Sequence, residues 1–439
     1  MFFYLSLYKG FFLQTHIYPS PSEWSTLLKR PTFNPLELQK TVLDILENVK
    51  ADGDKELFRL CEKFDGVKLT DLVVSQQEIA EAHTLVAAEL KEAILLAKDN
   101  IYRFHKSQEE AIQKVETMEG VVCWRENRAI TKVGLYIPGG TAPLFSTVLM
   151  LGVPAMIAGC EEIVLCTPPN KEGKVHPAIL YTADSIGIKK IVKVGGAQAI
   201  AAMTYGTESV PNVYKIFGPG NQFVTAAKQL VTQEGVAIDM PAGPSEVAVV
   251  ADQDADPAFV ASDLLSQAEH GADSQVILMT LSEEKVKEVA EALEKQLAVL
   301  PRKEFAQKAL ANSKSFVLKD MDELIAMVNE YGAEHLILNV NDYKSLIPKI
   351  KTAGSVFLGA FTPESAGDYA SGTNHTLPTN GYAKTYSGVS LDSFIKKITF
   401  QEISAKGIQN IGPSIETMAA AEELEAHKNA VTLRLKSIS

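Results

Sequence analysis

Eight histidines separate by the company they keep. His16, His83, His105 and His176 have no clustered polar partners and read as packing or surface residues. The other four stand among groups that can bind metal or move protons. Gln267-Ala268-Glu269-His270 closes a predicted helix, and positions three apart share a helix face. Glu334-His335 precedes an apolar run, and such a pair supplies the two titratable groups of acid–base chemistry. A polar stretch at 362–375 carries Asp368 and His375 without helical or strand logic, and long structureless stretches inside compact domains are usually functional or disordered. Glu422 and His427 lie on a predicted terminal helix at 415–436. Imidazole, carboxylate and amide oxygen together suit a borderline divalent ion such as zinc. Plain alternatives stand beside each. A histidine at a helix end can answer the helix dipole, and Glu-His before a strand can be a solvated turn. The residues are scattered, so spacing alone leaves both readings open.

Three glycine-rich loops follow apolar runs: Pro138-Gly139-Gly140-Thr141-Ala142-Pro143, Gly195-Gly196-Ala197-Gln198 and Gly218-Pro219-Gly220-Asn221. Glycine permits close backbone approach to a ligand, and helix N-termini offer free N–H groups to anions. Three such loops on one parallel sheet can line a cofactor crevice, or can be ordinary strand-to-helix turns. There is no G-x-G-x-x-G, so the usual dinucleotide fingerprint is absent. The four cysteines, Cys61, Cys123, Cys160 and Cys166, form no Cys-x-x-Cys pair. They read as small packed hydrophobes in a reducing cytoplasm. A nucleophilic Cys160 or Cys166, acting through a thiohemiacetal, is the rival chemistry.

The elements that must position these residues follow from periodicity. From 33 to about 107 the pattern is helical, with Leu36, Leu38, Val42, Leu43 and Ile45 at helix-like spacing. From 131 onward short apolar runs alternate with amphipathic stretches in two series. The first has runs at 133–137, 163–166, 191–194 and 213–217; the second at 247–250, 276–279, 315–318, 336–340 and 355–358. Such alternation implies parallel sheets with right-handed crossovers. The fold expected is α/β: two doubly wound, incomplete Rossmann-like parallel-sheet domains with helical N- and C-terminal segments. The divisions expected are an extension and lead-in at 1–30, and a helical part at 31–130 packing with the second α/β domain. A first, cofactor-binding α/β domain at 131–243, a second with the metal and catalytic residues at 244–375, and a dimerisation segment at 376–439 complete them. Residues 1–13 read as an unstructured extension.

The chain has 439 residues, 46% hydrophobic and 22% charged, with a formal charge of −12. Ordinary globular composition excludes collagen-like and low-complexity readings. An acidic chain without Lys/Arg runs is a poor nucleic-acid binder, and no apolar run reaches the roughly 18 residues of a membrane span.

Several longer words are more specific. Gly195-Gly196-Ala197-Gln198-Ala199-Ile200-Ala201-Ala202, Ile216-Phe217-Gly218-Pro219-Gly220-Asn221, Pro241-Ala242-Gly243-Pro244-Ser245-Glu246, Leu264-Leu265-Ser266-Gln267-Ala268-Glu269-His270-Gly271, Tyr369-Ala370-Ser371-Gly372-Thr373-Asn374-His375 and Ala426-His427-Lys428-Asn429 closely resemble histidinol dehydrogenase, from about residue 30 onward. The resemblance implies a zinc-containing, NAD-dependent oxidation of L-histidinol to L-histidine through the aldehyde, the last step of histidine biosynthesis. It implies Gln267, His270, Asp368 and His427 as zinc ligands and Glu334 and His335 as the catalytic pair. It implies Ser245, His375 and Glu422 as further substrate contacts, alongside His335 and the zinc ligands, and Tyr136, Gln198 and Asn221 as cofactor contacts. It also implies a homodimer in which His427 and Glu422 reach into the neighbouring subunit's site.

Overall fold

The computed structural model describes residues 13–31, 35–139, 142–241 and 243–438. Residues 1–12, and with them nearly all of the expected N-terminal extension, lie outside the described residues, as do Gly140, Thr141 and Ala242.

Two all-parallel sheets organise the chain. The first has five strands in the order Lys190–Val192, Glu162–Cys166, Lys132–Tyr136, Lys215–Phe217, Ala237–Ile238. Strands covered on both faces must be apolar almost throughout, and Val133, Leu135, Val164, Leu165, Ile191, Val192, Ile216 and Phe217 are all fully buried. One face carries the helices Phe145–Ala158 and Pro177–Ser185, and the other carries Gly196–Tyr205 and Gln222–Val231.

The N-terminal helices complete these same two layers. Pro35–Asp52 and Asp54–Phe64 join the Gly196–Tyr205 side through Val42, Leu46, Leu57 and Leu60. Gln76–Leu85 and Ala88–Lys106 join the opposite side through Ile79, Ile94 and Ile101. The segment 31–130 therefore packs on the first sheet, not on the second as expected. An apolar stripe states that a helix face is buried; it does not state against which sheet. Nor is that segment helical throughout, because Lys114–Met118 and Val121–Ala129 are strands. They pair antiparallel with each other, and Val121–Ala129 also pairs antiparallel with Ile395–Ile403, making a third, outlying sheet.

The second parallel sheet has six strands in the order Gln14–Ile17, Lys314–Val317, Gln275–Thr280, Glu246–Ala251, His335–Asn339, Ser355–Leu358. Its first strand comes from the lead-in, and Trp24 and Leu28 sink into the core against Ala248, Ile277 and Phe316. The lead-in is thus part of this domain rather than an appendage. The helices Pro257–Ala268, Glu283–Val299 and Lys303–Ala311 cover the other face.

The expected single terminal helix is two, Ala405–Ala421 and Glu425–Ser437. Glu422 caps the first, and Glu423 adopts a left-handed φ of 58° between them. No described helix is long and apolar enough to cross a membrane.

Candidate metal and catalytic site

In each parallel sheet the chain first builds outward from a central strand and then returns to its other side. These reversals lie between Lys132–Tyr136 and Lys215–Phe217, and between Glu246–Ala251 and His335–Asn339. Open parallel sheets usually bind ligands at such points, beyond the carboxyl ends of the strands. The second sheet departs from this: Glu246 and His335 open their strands, so its polar cluster sits at the amino edge. The helix Pro257–Ala268 runs back to that edge and delivers Gln267, with His270 just beyond it.

Gln267 is fully buried. Its amide nitrogen donates to the Glu246 carbonyl at 3.1 Å and to Glu334 Oε2 at 3.3 Å. Glu334 Oε2 also accepts from the Glu246 N–H at 2.9 Å. With both Gln267 N–H groups so engaged, the His335 Nδ1 at 3.2 Å has no hydrogen left to accept from that amide. Nδ1–H instead donates to the Glu246 carbonyl, 3.3 Å away. His335 Nε2 then faces the reacting side, 3.6 Å from Asp368 Oδ1 and without a hydrogen bond. Asp368 is anchored through its own backbone, whose carbonyl accepts from His375 Nδ1–H at 2.9 Å. That tautomer leaves His375 Nε2 to accept from Thr147 Oγ1 at 3.1 Å.

Charge is concentrated here. Burial pushes the Glu334 carboxyl up to about 8. For His335 burial works against the charged ring, but Glu364, Glu334 and Asp368 outweigh it and raise the imidazole to about 10. Burial also opposes ionisation of Asp368, yet the surrounding imidazoles of His335, His375 and His270 hold it below the ordinary range. Burial lowers His270 and His375.

The donor set fits a zinc-type cation. Ligand atoms of His270, Glu364 and Asp368 lie within 4.8 Å of one another. The Gln267 Oε1, whose amide partner atom is fully used, is buried with no donor among the described residues. A buried polar atom is ordinarily satisfied, and a bound cation would satisfy this one.

A second set of contacts holds the cluster in place. Glu246 is 2% exposed and takes a two-pronged ion pair from Arg30, at 2.5 and 2.9 Å. The Arg30 guanidinium also lies 4.2 Å from the centre of the Tyr331 ring. Asn380 N–H donates to Glu246 Oε1 at 2.6 Å.

At the carboxyl edge of the first sheet, Tyr136, Gln198 and Asn221 gather around the reversal point. The Tyr136 hydroxyl accepts from Gly196 N–H at 3.1 Å, Gln198 is buried, and Asn221 caps the helix Gln222–Val231 through Phe223 and Val224. Gly218 has φ +131°, and a Cβ there would stand 2.1 Å from the Tyr136 carbonyl oxygen, so only glycine closes this loop. Its amide donates to Asp239 at 2.8 Å and its carbonyl accepts from Lys228 at 2.9 Å. Lys228 and Asp239 are themselves a buried ion pair. These contacts fix a tight glycine turn at the ends of the central strands.

The sequence-predicted residues Gln267, His270, Glu334, His335, Asp368 and His375 therefore converge, and Ser245 adjoins them next to Glu246. Glu422 and His427 do not. Both are exposed on the C-terminal helices and give no hydrogen bond or ion pair to the cluster within this chain. The 362–375 stretch, expected to lack structure, contains the short helix Glu364–Tyr369. Residues missed from sequence are Arg30, Glu246, Thr147, Lys228, Asp239 and Glu364. Only Glu364, inside the polar stretch already singled out, carried a signal. The first four histidines do structural work: His16 stacks on Phe316, His83 meets Asp184, His105 is buried beside Gln108, and His176 caps the helix Pro177–Ser185. Burial pushes the Cys160 and Cys166 thiols up to about 12, far from the thiolate that a nucleophile requires.

Comparison with known proteins agrees with this picture. A family model described as histidinol dehydrogenase matches residues 28–435. A histidinol dehydrogenase of Bacteroides thetaiotaomicron is 63% identical over 421 residues, covering 96% of this chain and 98% of the relative. That of Escherichia coli is 54% identical over 415 residues, covering 94% and 95%. The crystal structure of histidinol dehydrogenase from Elizabethkingia anophelis superposes with a TM-score of 0.96 at 59% identity, over 98% of this chain and all of that one. With that family model spanning nearly its whole length, the chain belongs to the histidinol dehydrogenase family.

Proposed function

We propose that the protein oxidises L-histidinol to L-histidine through L-histidinaldehyde, reducing two NAD, as the final step of histidine biosynthesis. The observation that carries the reading is the convergence of Gln267, His270 and Asp368 beside the adjacent Glu334–His335 pair, with the Gln267 Oε1 and His335 Nε2 both left without hydrogen bonds.

Gln267, His270 and Asp368 would hold zinc together with the partner subunit's His427. When bound, zinc supplies a template for the substrate's nitrogen donors and NAD supplies the hydride acceptor. Everything else falls to the chain's own groups. Orientation of the alcohol carbon toward the cofactor removes the entropic part of the barrier, an effect worth roughly 7–11 kcal/mol in well-aligned systems. His335, with Nδ1 tied to the Glu246 carbonyl, accepts the alcohol proton at Nε2 as hydride departs; the carboxylates that raise this imidazole to about 10 would be countered by the bound cation, which leaves Nε2 unprotonated. Glu334, ionised once the cation is bound, takes a proton from the water that adds to the aldehyde, while His335 returns its proton to the carbonyl oxygen, giving a neutral hydrate. His335 accepts a second proton when that hydrate loses hydride and becomes the carboxylic acid, which ionises to carboxylate in water. Ser245, His375 and Glu422 of the partner subunit make further substrate contacts. Tyr136, Gln198 and Asn221 border the cofactor.

The exposure of His427, Glu422 and the whole of Lys114–Met118 supports a homodimer, since in this reading a single chain lacks one metal ligand. The cysteine route is disfavoured because Cys166 is completely buried and Cys160 carries a raised thiol.

The test is a direct assay of pure protein with histidinol and NAD. The expected result is two NADH per histidinol with L-histidine as product, lost on chelation and restored by zinc. Absence of NADH with zinc present would overturn the reading.

A further inference from the structure

We infer that Glu364 is a cation-binding group of this site, contributing its carboxylate to the positive charge that gathers there: the divalent ion itself or the polarised N–H of the substrate amine beside it. The inference deepens the proposed function and rests on it.

Glu364 is 1% exposed, and neither of its oxygens has a hydrogen-bond partner among the described residues. A carboxylate offers about four acceptor positions, and a carboxylic acid adds a donor. In either state burial without partners is costly. The surrounding chain offers no remedy. The ion pairs of His335 run to Glu334 and Asp368, and none reaches Glu364 within 4.0 Å. Yet an oxygen of Glu364 lies within 4.8 Å of ligand atoms of both His270 and Asp368. Glu364 and Asp368 are four apart on one short helix, so they present to the same side. The Gln267 Oε1 is the cluster's other unpartnered buried oxygen. Unsatisfied oxygens converging beside a histidine are complementary to a cation rather than to each other.

Position decides what kind of cation. Four protein ligands hold zinc without Glu364, and the shell expands to take the substrate, which leaves Glu364 to accept from the substrate amine; if the ion takes one more protein ligand, Glu364 is that ligand. The shared chemistry is positive charge, and the two sources separate experimentally.

The experiment compares wild type with Glu364→Gln, which keeps shape and removes charge, and Glu364→Asp, which keeps charge. Three quantities are read: melting temperature of metal-free protein, zinc retention against a competing chelator, and histidinol affinity by calorimetry at saturating zinc without NAD. Metal-free Glu364→Gln should melt no lower than wild type, because its amide can donate to the acceptors beside it, whereas the carboxyl oxygens have no partner. If the partner is the metal, zinc affinity falls by about tenfold or more. If it is the amine, zinc affinity holds while histidinol affinity falls by a similar factor, and imidazolepropanol, which lacks the amine, binds both proteins equally. Glu364→Asp should retain part of whichever affinity is lost. Unchanged zinc and histidinol affinities would overturn the inference, as would a lower melting temperature of the metal-free Gln variant, which would mark a structural role. Wild-type turnover of histidinol is measured alongside. Its absence would count against the function, whereas its presence with an unaltered Gln variant would count against Glu364 alone.

Discussion

Replacing Arg30 with Met is the most informative single perturbation of the site's foundation. Arg30 lies outside every candidate set drawn from sequence, yet its two contacts to Glu246, at 2.5 and 2.9 Å, neutralise a carboxylate that is 2% exposed. Removing one partner of a buried pair typically costs about 3–5 kcal/mol, because the other charge is left uncompensated. Asn380 N–H still donates to Glu246, and the Arg30 side chain is 15% exposed, so the lower end, roughly 3 kcal/mol, is expected. The assay is urea unfolding followed by Trp24 fluorescence, since Trp24 is buried in the second domain's core. Replacing the chain's other tryptophan, Trp124, by Phe isolates that signal. The midpoint should fall with the slope unchanged. A second consequence reaches the site. The Glu246 backbone holds Gln267 and His335 through its carbonyl and Glu334 through its amide, so zinc retention should weaken in parallel. Adding Glu246→Gln should recover most of the lost stability by removing the stranded charge. A loss below about 1 kcal/mol, the scale of a surface pair, would refute the argument, and so would a double variant no more stable than the single one.

Two further outcomes are expected. Burial pushes the Asp263 carboxyl from 3.8 up to about 7. An acid held more protonated in the fold than in the unfolded chain makes stability fall as pH rises from about 4 to 7, and leaves it flat above. Asp263→Asn should therefore match wild type near pH 4 and exceed it at pH 8, by at most roughly 4 kcal/mol; a difference independent of pH would remove the basis of this claim. The second concerns shared sites. His427→Ala and His335→Ala should each be inactive as homodimers, while purified heterodimers should regain about half of wild-type activity, because one of two equivalent sites is then intact. Verified heterodimers without activity would exclude a His427 donated across the dimer.

The inner strands of both parallel sheets were legible because double-sided burial writes itself as unbroken apolar runs, as in Val247-Ala248-Val249-Val250 and Val276-Ile277-Leu278-Met279. The edge strands Gln14–Ile17 and Ala237–Ile238 were not, since an edge with partly exposed residues has no such signature. The strands Lys114–Met118 and Val121–Ala129 were hidden for another reason: one partner, Ile395–Ile403, lies far along the chain, and no local pattern announces it. In the site, Gln267 with His270 and Glu334 with His335 stood out by residue type. Glu364 was signalled only by lying in the polar stretch at 362–375, because a stretch read as structureless gives no register that sets it beside Asp368. Arg30 and Glu246 were invisible as a pair, with 216 positions between them.

The placement of the two halves of the site follows from one connection. In the proposed function the cofactor borders the carboxyl edge of the first sheet, whereas Gln267, His270, Glu334, His335 and Asp368 cluster at the amino edge of the second. Hydride transfer needs these opposite edges face to face. The helix Phe145–Ala158 follows the strand ending at Tyr136, so its first turn stands at the cofactor edge. From that turn Thr147 donates to His375, and His375 donates to the backbone of Asp368, whose carboxylate stands 3.6 Å from His335 Nε2. Two more bonds bind the same loop to the first domain: Asn374 to the Met150 carbonyl and Asn100 to the Ala370 carbonyl. The loop carrying Asp368 and His375 is thus held by the helices of the first domain. In the proposed function that arrangement accounts for the use of the edge that parallel sheets ordinarily leave idle. The carboxyl edge of the second sheet lies at the far ends of the strands that Glu246 and His335 open, away from this clamp.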